Sequence, residues 1–281
     1  MASGAVADFA RGYVAGLDST ELAEVAVKLR RQGLDLSLSY LPAVPGTGSS
    51  LDQLATALDK LGAEAIGCEL SIKPTEVGLG RGESVAAAKL TQLCAVAASS
   101  GASVTLEMEH FESYPATLRL WELVHDIEPS LGLTLPVDVH RAEVDVRTLA
   151  AAGARLRLCV GSYPLKRGVG YHFEQDKRLA LVRCLRAAME GGGYAMVASH
   201  DPTIIAIAQE VARRNGLGKE SFEFQMYYGL RPLEQRRLVD TGYRSRCYLP
   251  FGPGWFDYLI GRVAARPRTV YSFLTAIRDK R

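Results

Sequence analysis

The chain alternates short β-rich runs with longer segments of helical spacing, and this order restricts the fold more than any other feature. Eight runs are predicted as strands, near residues 34–40, 64–72, 103–108, 131–139, 155–160, 193–199, 220–226 and 244–249. Eight helical segments follow them, near residues 50–62, 83–98, 115–127, 142–152, 172–190, 202–214, 230–241 and 253–265. Eight strand–helix pairs in about 240 residues predict an α/β fold, a (β/α)8 barrel of the TIM type.

The pattern predicts a single domain. A chain of 281 residues with 48% hydrophobic residues is long enough to bury one large core. Asp201-Pro202 is typical of a helix start, which supports the predicted boundaries. Within the domain over residues 1–281 we expect an N-terminal helical extension, the barrel and a C-terminal helical cap, over residues 1–30, 31–267 and 268–281.

The composition excludes several classes of protein. A net charge of +2 gives no reason to expect a nucleic-acid partner. The five cysteines are odd in number and contain no Cys-x-x-Cys pair, which favours reduced thiols in a cytoplasmic protein. The start of the chain lacks the pattern of a signal peptide, and Lys89 interrupts the most apolar helix. We therefore expect a cytoplasmic protein with no integral membrane segment, and leave peripheral contact with a membrane open.

A TIM barrel carries its site at the C-terminal ends of its strands, and this rule selects candidate residues directly. The selected positions are rich in polar side chains, although they flank core strands. They are Tyr40, Lys73, Glu107, Glu109, Asp138, Arg157, Tyr163, Ser199, His200, Gln225 and Tyr248. The chain contains no glycine-rich dinucleotide fingerprint and no Ser-His-Asp or Cys-His set, so neither a Rossmann domain nor nucleophilic catalysis is predicted.

The segment Arg246–Arg266 gives the first indication of a ligand. It is predicted as a strand, a Pro-Phe-Gly turn and a helix, with Tyr248 close to the strand end. Tyr258 and Arg262 are four residues apart, so they share one face of that helix. An aromatic wall beside a guanidinium suits a small carboxylate ligand, because arginine binds carboxylates through two parallel hydrogen bonds. The segment resembles the C-terminal signature of the proline dehydrogenase family, Arg-x-Tyr-x-Pro-Tyr/Phe-Gly followed by Tyr-x-x-Arg-Arg.

Lys73 and Glu107 end neighbouring predicted strands. A lysine just inside a barrel mouth needs a charged or polar partner, and Glu107 can provide it, either as a structural ion pair or within a site. The residues around them resemble the Ser-Val-Lys-Leu/Pro-Thr and Asp-Met-Glu stretches of the same family. The resemblance implies that Lys73 lies near the flavin and the substrate, and that Glu107 holds Lys73 and a site tyrosine. Glu107 and Glu109 could instead bind a metal, but no histidine is spaced to join them, and no metal site is predicted.

Three further strand ends resemble cofactor-binding motifs of the family. Residues 155–163 resemble Arg-Leu-Val-Lys-Gly-Ala-Tyr, residues 198–201 resemble Ala-Thr-His-Asn, and residues 223–225 match Glu-Phe-Gln. The resemblance implies that the cofactor is bound by Lys73, Arg157, Gly161, Ser162, Tyr163, Ser199, His200, Glu223 and Gln225. Gly161, which has no Cβ, would let the backbone approach a flat ring. Tyr227, where the family has leucine, and Gly261 are expected to line the substrate pocket.

At least five such motifs follow in order between about residues 33 and 267. The resemblance implies a distorted barrel that binds FAD non-covalently. It also implies oxidation of L-proline to pyrroline-5-carboxylate by hydride transfer to flavin N5, after which a quinone or another acceptor takes the electrons. The expected catalytic residues are Lys73, Glu107, Tyr248, Tyr258 and Arg262.

Departures from the family pattern leave two alternatives. Gly261 and Ala265 replace an arginine and a glutamate, which leaves a wider and less charged opening beside Arg262. One alternative is therefore the same flavin chemistry on a larger or modified cyclic amine in secondary metabolism. The other is a non-catalytic barrel that binds flavin or another ligand. A further departure, Pro136, removes a hydrogen-bond donor from a strand predicted to be central.

Overall fold

The computed structural model describes residues 12–47 and 49–265, with side chains as far as Ile260. Eight parallel strands pair in chain order, and the first also pairs with the last, so the sheet closes into a barrel. The strands are β1 (Asp35–Tyr40), β2 (Glu69–Ile72), β3 (Ser103–Leu106), β4 (Gly132–Pro136), β5 (Arg155–Cys159), β6 (Tyr194–Ala198), β7 (Phe222–Tyr227) and β8 (Arg244–Phe251).

One α-helix precedes the first strand and one follows each strand in the described part of the chain. They are α1 (Ser19–Arg30), α2 (Ser49–Leu61), α3 (Glu83–Ser99), α4 (Tyr114–His125), α5 (Ala142–Ala151), α6 (Glu174–Glu190), α7 (Pro202–Arg214), α8 (Pro232–Asp240) and α9 (Trp255–Ala265). The predicted (β/α)8 fold is therefore confirmed. Among the residues described, no helix is both long and apolar enough to cross a bilayer.

Alternate residues of each strand point outward and form the main hydrophobic core between sheet and helices. Leu36 and Leu38 of β1 are fully buried in this layer, while Ser37 between them points into the barrel. The same outward layer contains Leu70, Ile72, Val104, Leu106, Leu133, Leu135, Leu156, Leu158, Val197, Phe224 and Leu249. Helices cover the outside of a parallel barrel, so the outward face of every strand must be apolar.

The described residues include only part of the N-terminal extension and none of the C-terminal cap that the sequence predicts. Residues 1–11, 48 and 266–281 lie outside the described residues, so the C-terminal helix over 268–281 and the start of the extension over 1–30 stay predictions. Within the extension, α1 begins at Ser19, where the Asp18 carboxylate accepts hydrogen bonds from the first-turn N–H groups.

α1 and α9, the helices before the first strand and after the last, pack on different surfaces of the barrel. α1 packs on β1 and α2. Just beyond α1, a Cβ placed on Gly33 would come within 2.8 Å of Val239 in α8. α1 therefore occupies the outer ring between α8 and α2. α9 packs through Leu259 on Tyr13 and on Leu230, which follows the C-terminal end of β7. The helix after the last strand thus lies at the mouth of the barrel, where the strand ends gather.

Pro136 is accommodated at the end of β4. The N–H of Val137 donates to the Cys159 carbonyl oxygen of β5 at 2.8 Å, so the nitrogen of the preceding residue faces β3. The pairing of β3 with β4 has already ended at Leu106 and Leu133. The proline therefore removes no hydrogen bond from the barrel, because β3, the strand toward which its nitrogen faces, no longer pairs with β4 at its level.

Candidate active site

The interior of the barrel is polar. Arg157 on β5 bonds side chains on β1, β2 and β7, and strands so far apart in the sheet can meet only inside a closed barrel. The inward residues of this network are Asp35, Ser37, Glu69, Ser71, Thr105, Arg155, Arg157, Glu223, Gln225, Arg244 and Arg246. TIM barrels usually fill this space with branched apolar side chains. Here the interior instead holds charged groups that need partners.

Glu223 and Arg246 are the central pair of the lower layer of this network, which is the layer that lies deeper in the barrel than the C-terminal strand ends. Arg246 donates from Nε and Nη2 to the Glu223 carboxylate at 2.6 and 3.0 Å, and both residues are buried, with at most 1% of either exposed. Gln225 and Tyr194 also donate to this carboxylate, at 2.6 and 3.1 Å. Burial alone would raise the pKa of Glu223, but the Arg246 guanidinium holds that pKa well below its ordinary value. The pair is therefore ionised inside the protein.

Arg157 connects this layer to the mouth of the barrel. Its acceptors are Gln225 Oε1 at 2.6 Å, Ser71 Oγ at 2.6 Å, Thr134 Oγ1 at 3.5 Å, Ser37 Oγ at 3.1 Å and Glu69 Oε1. A guanidinium has five N–H groups, so these five bonds match its donors in number. A cofactor could accept a hydrogen bond from Arg157 only by replacing one of the present acceptors or by sharing a donor with it.

Glu107 is the central residue of the mouth. Its Oε1 accepts hydrogen bonds from Ser71 Oγ and from the Tyr248 hydroxyl, both at 2.7 Å. Burial alone would raise the pKa of Glu107. The positive charges of Lys73 and Arg157, aided by these two hydrogen bonds, hold the pKa below its ordinary value. Glu107 is therefore a carboxylate at neutral pH, and the structure brings it to both the lysine and the tyrosine expected beside it.

The two carboxylates that follow β3 have different partners. Whereas Glu107 bonds inward groups, Glu109 accepts from the backbone N–H and the hydroxyl of Thr75, each at 3.1 Å. Glu109 therefore links the loop after β3 to the loop after β2. In residues 12–47 and 49–265, no group of three or more His, Cys, Asp or Glu side chains is placed to hold a metal ion.

Aromatic rings form a wall beside this carboxylate. The ring centroids of Tyr227 and Tyr248 lie 5.3 Å apart at 89°, and those of Tyr227 and His200 lie 5.4 Å apart at 18°. The N–H of Tyr227 donates to His200 Nε2 at 3.0 Å. Because Nε2 accepts this bond, the neutral imidazole carries its proton on Nδ1. The wall thus presents parallel and perpendicular rings together with an imidazole donor.

The residues after β5 surround a second carboxylate. The N–H of Gly161 donates to Asp138 Oδ1 at 2.7 Å, and a Cβ on Gly161 would come within 2.8 Å of the same oxygen. The close contact with Asp138 therefore requires a glycine at position 161. This reason differs from the expected one, which was that the glycine lets the backbone approach a flat ring. Ser162 follows, and the Tyr163 ring lies 4.3 Å from the ring of His110.

The residues after β6 are held partly by a strained arginine. Ser199 Oγ accepts from the N–H of Asp201 at 3.2 Å, and Arg231 donates to the His200 carbonyl oxygen at 2.7 Å. Arg231 has φ 48° and ψ 51°, a left-handed conformation that side chains rarely adopt and that is often found beside functional sites. Sequence reasoning missed Arg231. No local signal pointed to it, because the residue before a proline is normally extended rather than left-handed.

The residues expected on the last helix are only partly described. Tyr258 is half-buried and packs beside Leu259 in the cluster at the barrel mouth. Gly261 and Arg262 belong to α9, but the side chains from residue 261 onward lie outside the described residues. Their places in the substrate pocket stay predictions.

Sequence reasoning also missed the interior carboxylates and arginines that support the site. Glu69 and Arg246 are fully buried, and neither lies at the C-terminal end of its strand. A signal was present in the two-residue alternation of Arg155-Leu-Arg157-Leu in β5 and of Arg244-Ser-Arg246-Cys in β8. In a barrel whose outside must be apolar, charged residues at this spacing have to point inward.

Comparison with known proteins agrees with this geometry. The family model described as proline dehydrogenase matches residues 174–264. Proline dehydrogenase 1 of Bacillus subtilis (strain 168) is 33% identical over 284 aligned residues, which cover 96% of this chain and 91% of the relative. The chain belongs to the proline dehydrogenase family. The proline dehydrogenase of Deinococcus radiodurans is 31% identical, over 93% of this chain and 87% of its own. Membership makes the protein an oxidoreductase of the amino acid dehydrogenase type.

Solved structures share the barrel of this family member. Proline utilization A (PutA) from Bdellovibrio bacteriovorus, in a form inactivated by N-propargylglycine, has a TM-score of 0.81 with 19% identity. A mutant PutA from Bradyrhizobium japonicum has a TM-score of 0.74 with 17% identity over 90% of this chain. The present chain spans about a third of the Bdellovibrio PutA chain, 32% of its length, and is itself covered to 92%. At these identities the likeness concerns the fold.

Proposed function

We propose that this member of the proline dehydrogenase family oxidises L-proline, or a closely related cyclic secondary amino acid, to the corresponding imine, with FAD as the first electron acceptor. The observation that carries the proposal is the ionised Glu107 at the barrel mouth, bonded by Tyr248 and facing Lys73. The named activities of the 31–33% identical relatives support the same reaction. A quinone or another acceptor then takes the electrons.

The groups at the strand ends fit FAD. The parallel rings of His200 and Tyr227 offer a flat surface, and Gly161, Ser162 and Ser199 are small residues that follow the adjacent strands β5 and β6. Tyr163 and Gln225 belong to the same proposed binding set, as do Lys73, Arg157 and Glu223. Glu223 is fully buried below the mouth, so it would act through Gln225, to which it is bonded at 2.6 Å. When bound, FAD supplies the redox chemistry by taking a hydride from the ring carbon next to the substrate nitrogen.

The side chains of the chain would bind and orient the substrate. Lys73 and Arg262 are proposed to hold its carboxylate, because both are cations at the mouth end of the barrel. Glu107 fixes the position of Tyr248 and balances the charge of Lys73. Tyr248, with Tyr227 and Tyr258, would form the apolar wall that orients the ring and excludes water.

We expect the purified protein to be yellow and to release FAD on denaturation. Anaerobic addition of L-proline should bleach the flavin absorbance near its visible maximum, because two electrons pass to FAD. The measurement is an absorbance titration, with acetate as a carboxylate that has no oxidisable ring. A protein that stays colourless after incubation with FAD contradicts the proposal, and a yellow protein that no cyclic amine bleaches indicates the binding-only barrel.

Arg262→Ala should lower kcat/KM for a carboxylate substrate by at least about tenfold, the effect of one lost charge-assisted hydrogen bond. Flavin content should stay near that of the unmodified protein, because Arg262 is assigned to the substrate. Arg236→Ala is the control, since Arg236 makes an exposed pair with Asp240 on α8. Equal kinetics for the two variants would show that the carboxylate is held elsewhere or is absent.

A second candidate substrate is a larger or modified cyclic amine, favoured by Gly261 and Ala265, which replace two long charged side chains beside Arg262. Under this candidate, free L-proline reduces the flavin poorly and a substituted or carrier-linked cyclic amine reduces it faster. Gly261→Arg should then move the preference back toward proline. The measurement is kcat/KM for a panel of cyclic amines. A millimolar or lower KM for proline, with bulkier analogues rejected, rules this candidate out.

A further inference from the structure

The hydroxyl of Ser71 lies between the buried guanidinium of Arg157 and the partly buried carboxylate of Glu107. It accepts a hydrogen bond from Arg157 Nη1 at 2.6 Å and donates one to Glu107 Oε1 at 2.7 Å. Ser71 is an inward residue of β2 and is 2% exposed. The serine therefore forms the link between the interior network and the carboxylate at the mouth.

The direction of both hydrogen bonds is determined by charge. A guanidinium can only donate, and an ionised carboxylate can only accept. The Ser71 proton must therefore point at Glu107, while its oxygen faces Arg157. A hydroxyl polarised by a cation is a better donor than an isolated one, so the charge of Arg157 strengthens the bond that Glu107 receives.

We propose that Ser71 is a positioning residue, which keeps Glu107 ionised and aligned with Tyr248 in the site. The expectation for catalysis rests on the proposed function, whereas the expectation for the charge of Glu107 does not. The charged and titratable groups that face Glu107 are Lys73 from the end of β2, Arg157 from β5 and Tyr248 from β8.

Removal of the Ser71 hydroxyl should make Glu107 easier to protonate. Glu107 has a lowered pKa, to which the Ser71 hydrogen bond contributes, so Ser71→Ala raises that pKa toward its ordinary value. One charge-assisted hydrogen bond corresponds to an upward shift of about one pH unit. As the pH falls, Glu107 then loses its charge earlier in the variant than in the unmodified protein.

Ser37 provides a matched control. Its hydroxyl also accepts from Arg157, at 3.1 Å, and also donates to a buried carboxylate, Glu69 Oε1, at 2.7 Å. It is fully buried, as Ser71 is, but it faces the interior of the barrel rather than the mouth. Any effect caused by loosening Arg157 should appear in Ser37→Ala as well. Only an effect transmitted through Glu107 is specific to Ser71→Ala.

The test uses two measurements on the FAD-loaded full chain between pH 3.5 and 7, because the protonation of Glu107 is expected at or below the ordinary pKa of a glutamate. The first is the dissociation constant of tetrahydrofuran-2-carboxylate, an anion of the same ring size that carries no amine to oxidise. The second is the rate constant of anaerobic flavin reduction by saturating L-proline. Protonation of Glu107 adds positive charge to the site, so the anion should bind more tightly as the pH falls. Reduction should slow over the same range, because Tyr248 and Lys73 lose their anchor.

In Ser71→Ala, both changes should begin about one pH unit higher than in the unmodified protein. Ser37→Ala should keep the unmodified midpoint, and Ser71→Thr, which retains a hydroxyl, should restore it. A purely structural defect would weaken binding and slow reduction together, without opposite signs. Identical pH profiles for the two alanine variants, or no shift in Ser71→Ala, would overturn the proposal. If no cyclic amine reduces the unmodified protein, the proposed function is wrong, and the binding midpoints still decide the role of Ser71.

Discussion

Glu107→Gln should slow anaerobic flavin reduction by L-proline roughly 30- to 150-fold, which corresponds to about 2–3 kcal/mol. Glu107 supplies the negative charge that faces Lys73 and Arg157 at the barrel mouth. A neutral amide leaves both cations without that charge. Its oxygen can still accept from Ser71 and Tyr248, because both donate to the same oxygen of Glu107, so the expected loss comes from the missing charge. The reduction rate constant at saturating proline, measured by stopped-flow absorbance, tests this directly.

Glu109→Gln is the matched control for this variant. Both carboxylates follow β3, two residues apart, but Glu109 bonds Thr75 in an exposed loop. We expect its reduction rate to stay within about twofold of the unmodified protein, since exposed polar contacts contribute little. If both variants slow reduction equally, Glu107 has no special part in the reaction, and a general effect of the loop would explain the loss.

Glu223→Gln should lower the free energy of unfolding by about 3–5 kcal/mol, because it leaves the buried Arg246 without its main counter-charge. The carboxylate makes two hydrogen bonds with this guanidinium, and neither residue is more than 1% exposed. Such a loss is a large fraction of the stability of a typical domain. Chemical denaturation, with unfolding followed by circular dichroism, measures it.

Two further variants make this measurement specific. Glu210→Gln removes a carboxylate that pairs with Arg213 and Arg214 on the surface of α7, and it should leave the free energy of unfolding nearly unchanged in the same measurement. The double variant Glu223→Met with Arg246→Met should be more stable than Glu223→Gln, because apolar residues can replace a buried ion pair. A Glu223→Gln protein as stable as the unmodified one would mean that Arg246 is neutralised by another group, such as Asp35.

The elements of the fold were predictable because their signals are local. The strands alternate or concentrate β-branched and apolar residues, and the helices carry starts such as Asp201-Pro202, so each element is recognisable without its neighbours. Eight such pairs close into a barrel by a general rule of topology. The same rule predicted that Lys73, Glu107 and Tyr248 would gather at one end.

The position of α9 was not predictable in the same way. Its sequence has the spacing of an ordinary barrel helix, yet it packs on Tyr13 and Leu230 at the mouth, while α1 occupies the outer ring. Which helix covers which surface depends on the match between two apolar faces that are distant in the chain. Helical periodicity shows that a face exists, without indicating its partner.

Local pattern alone thus determined the order of strands and helices, the closed barrel and the end at which its polar residues collect. The tertiary structure decided which charges meet. Arg157 reaches Ser37, 120 residues away in the chain, and Ser71 joins Arg157 to Glu107. These contacts exist because closing the barrel brings the inward side chains of distant strands within hydrogen-bonding distance. No local pattern specifies which donor will face which acceptor across that interior.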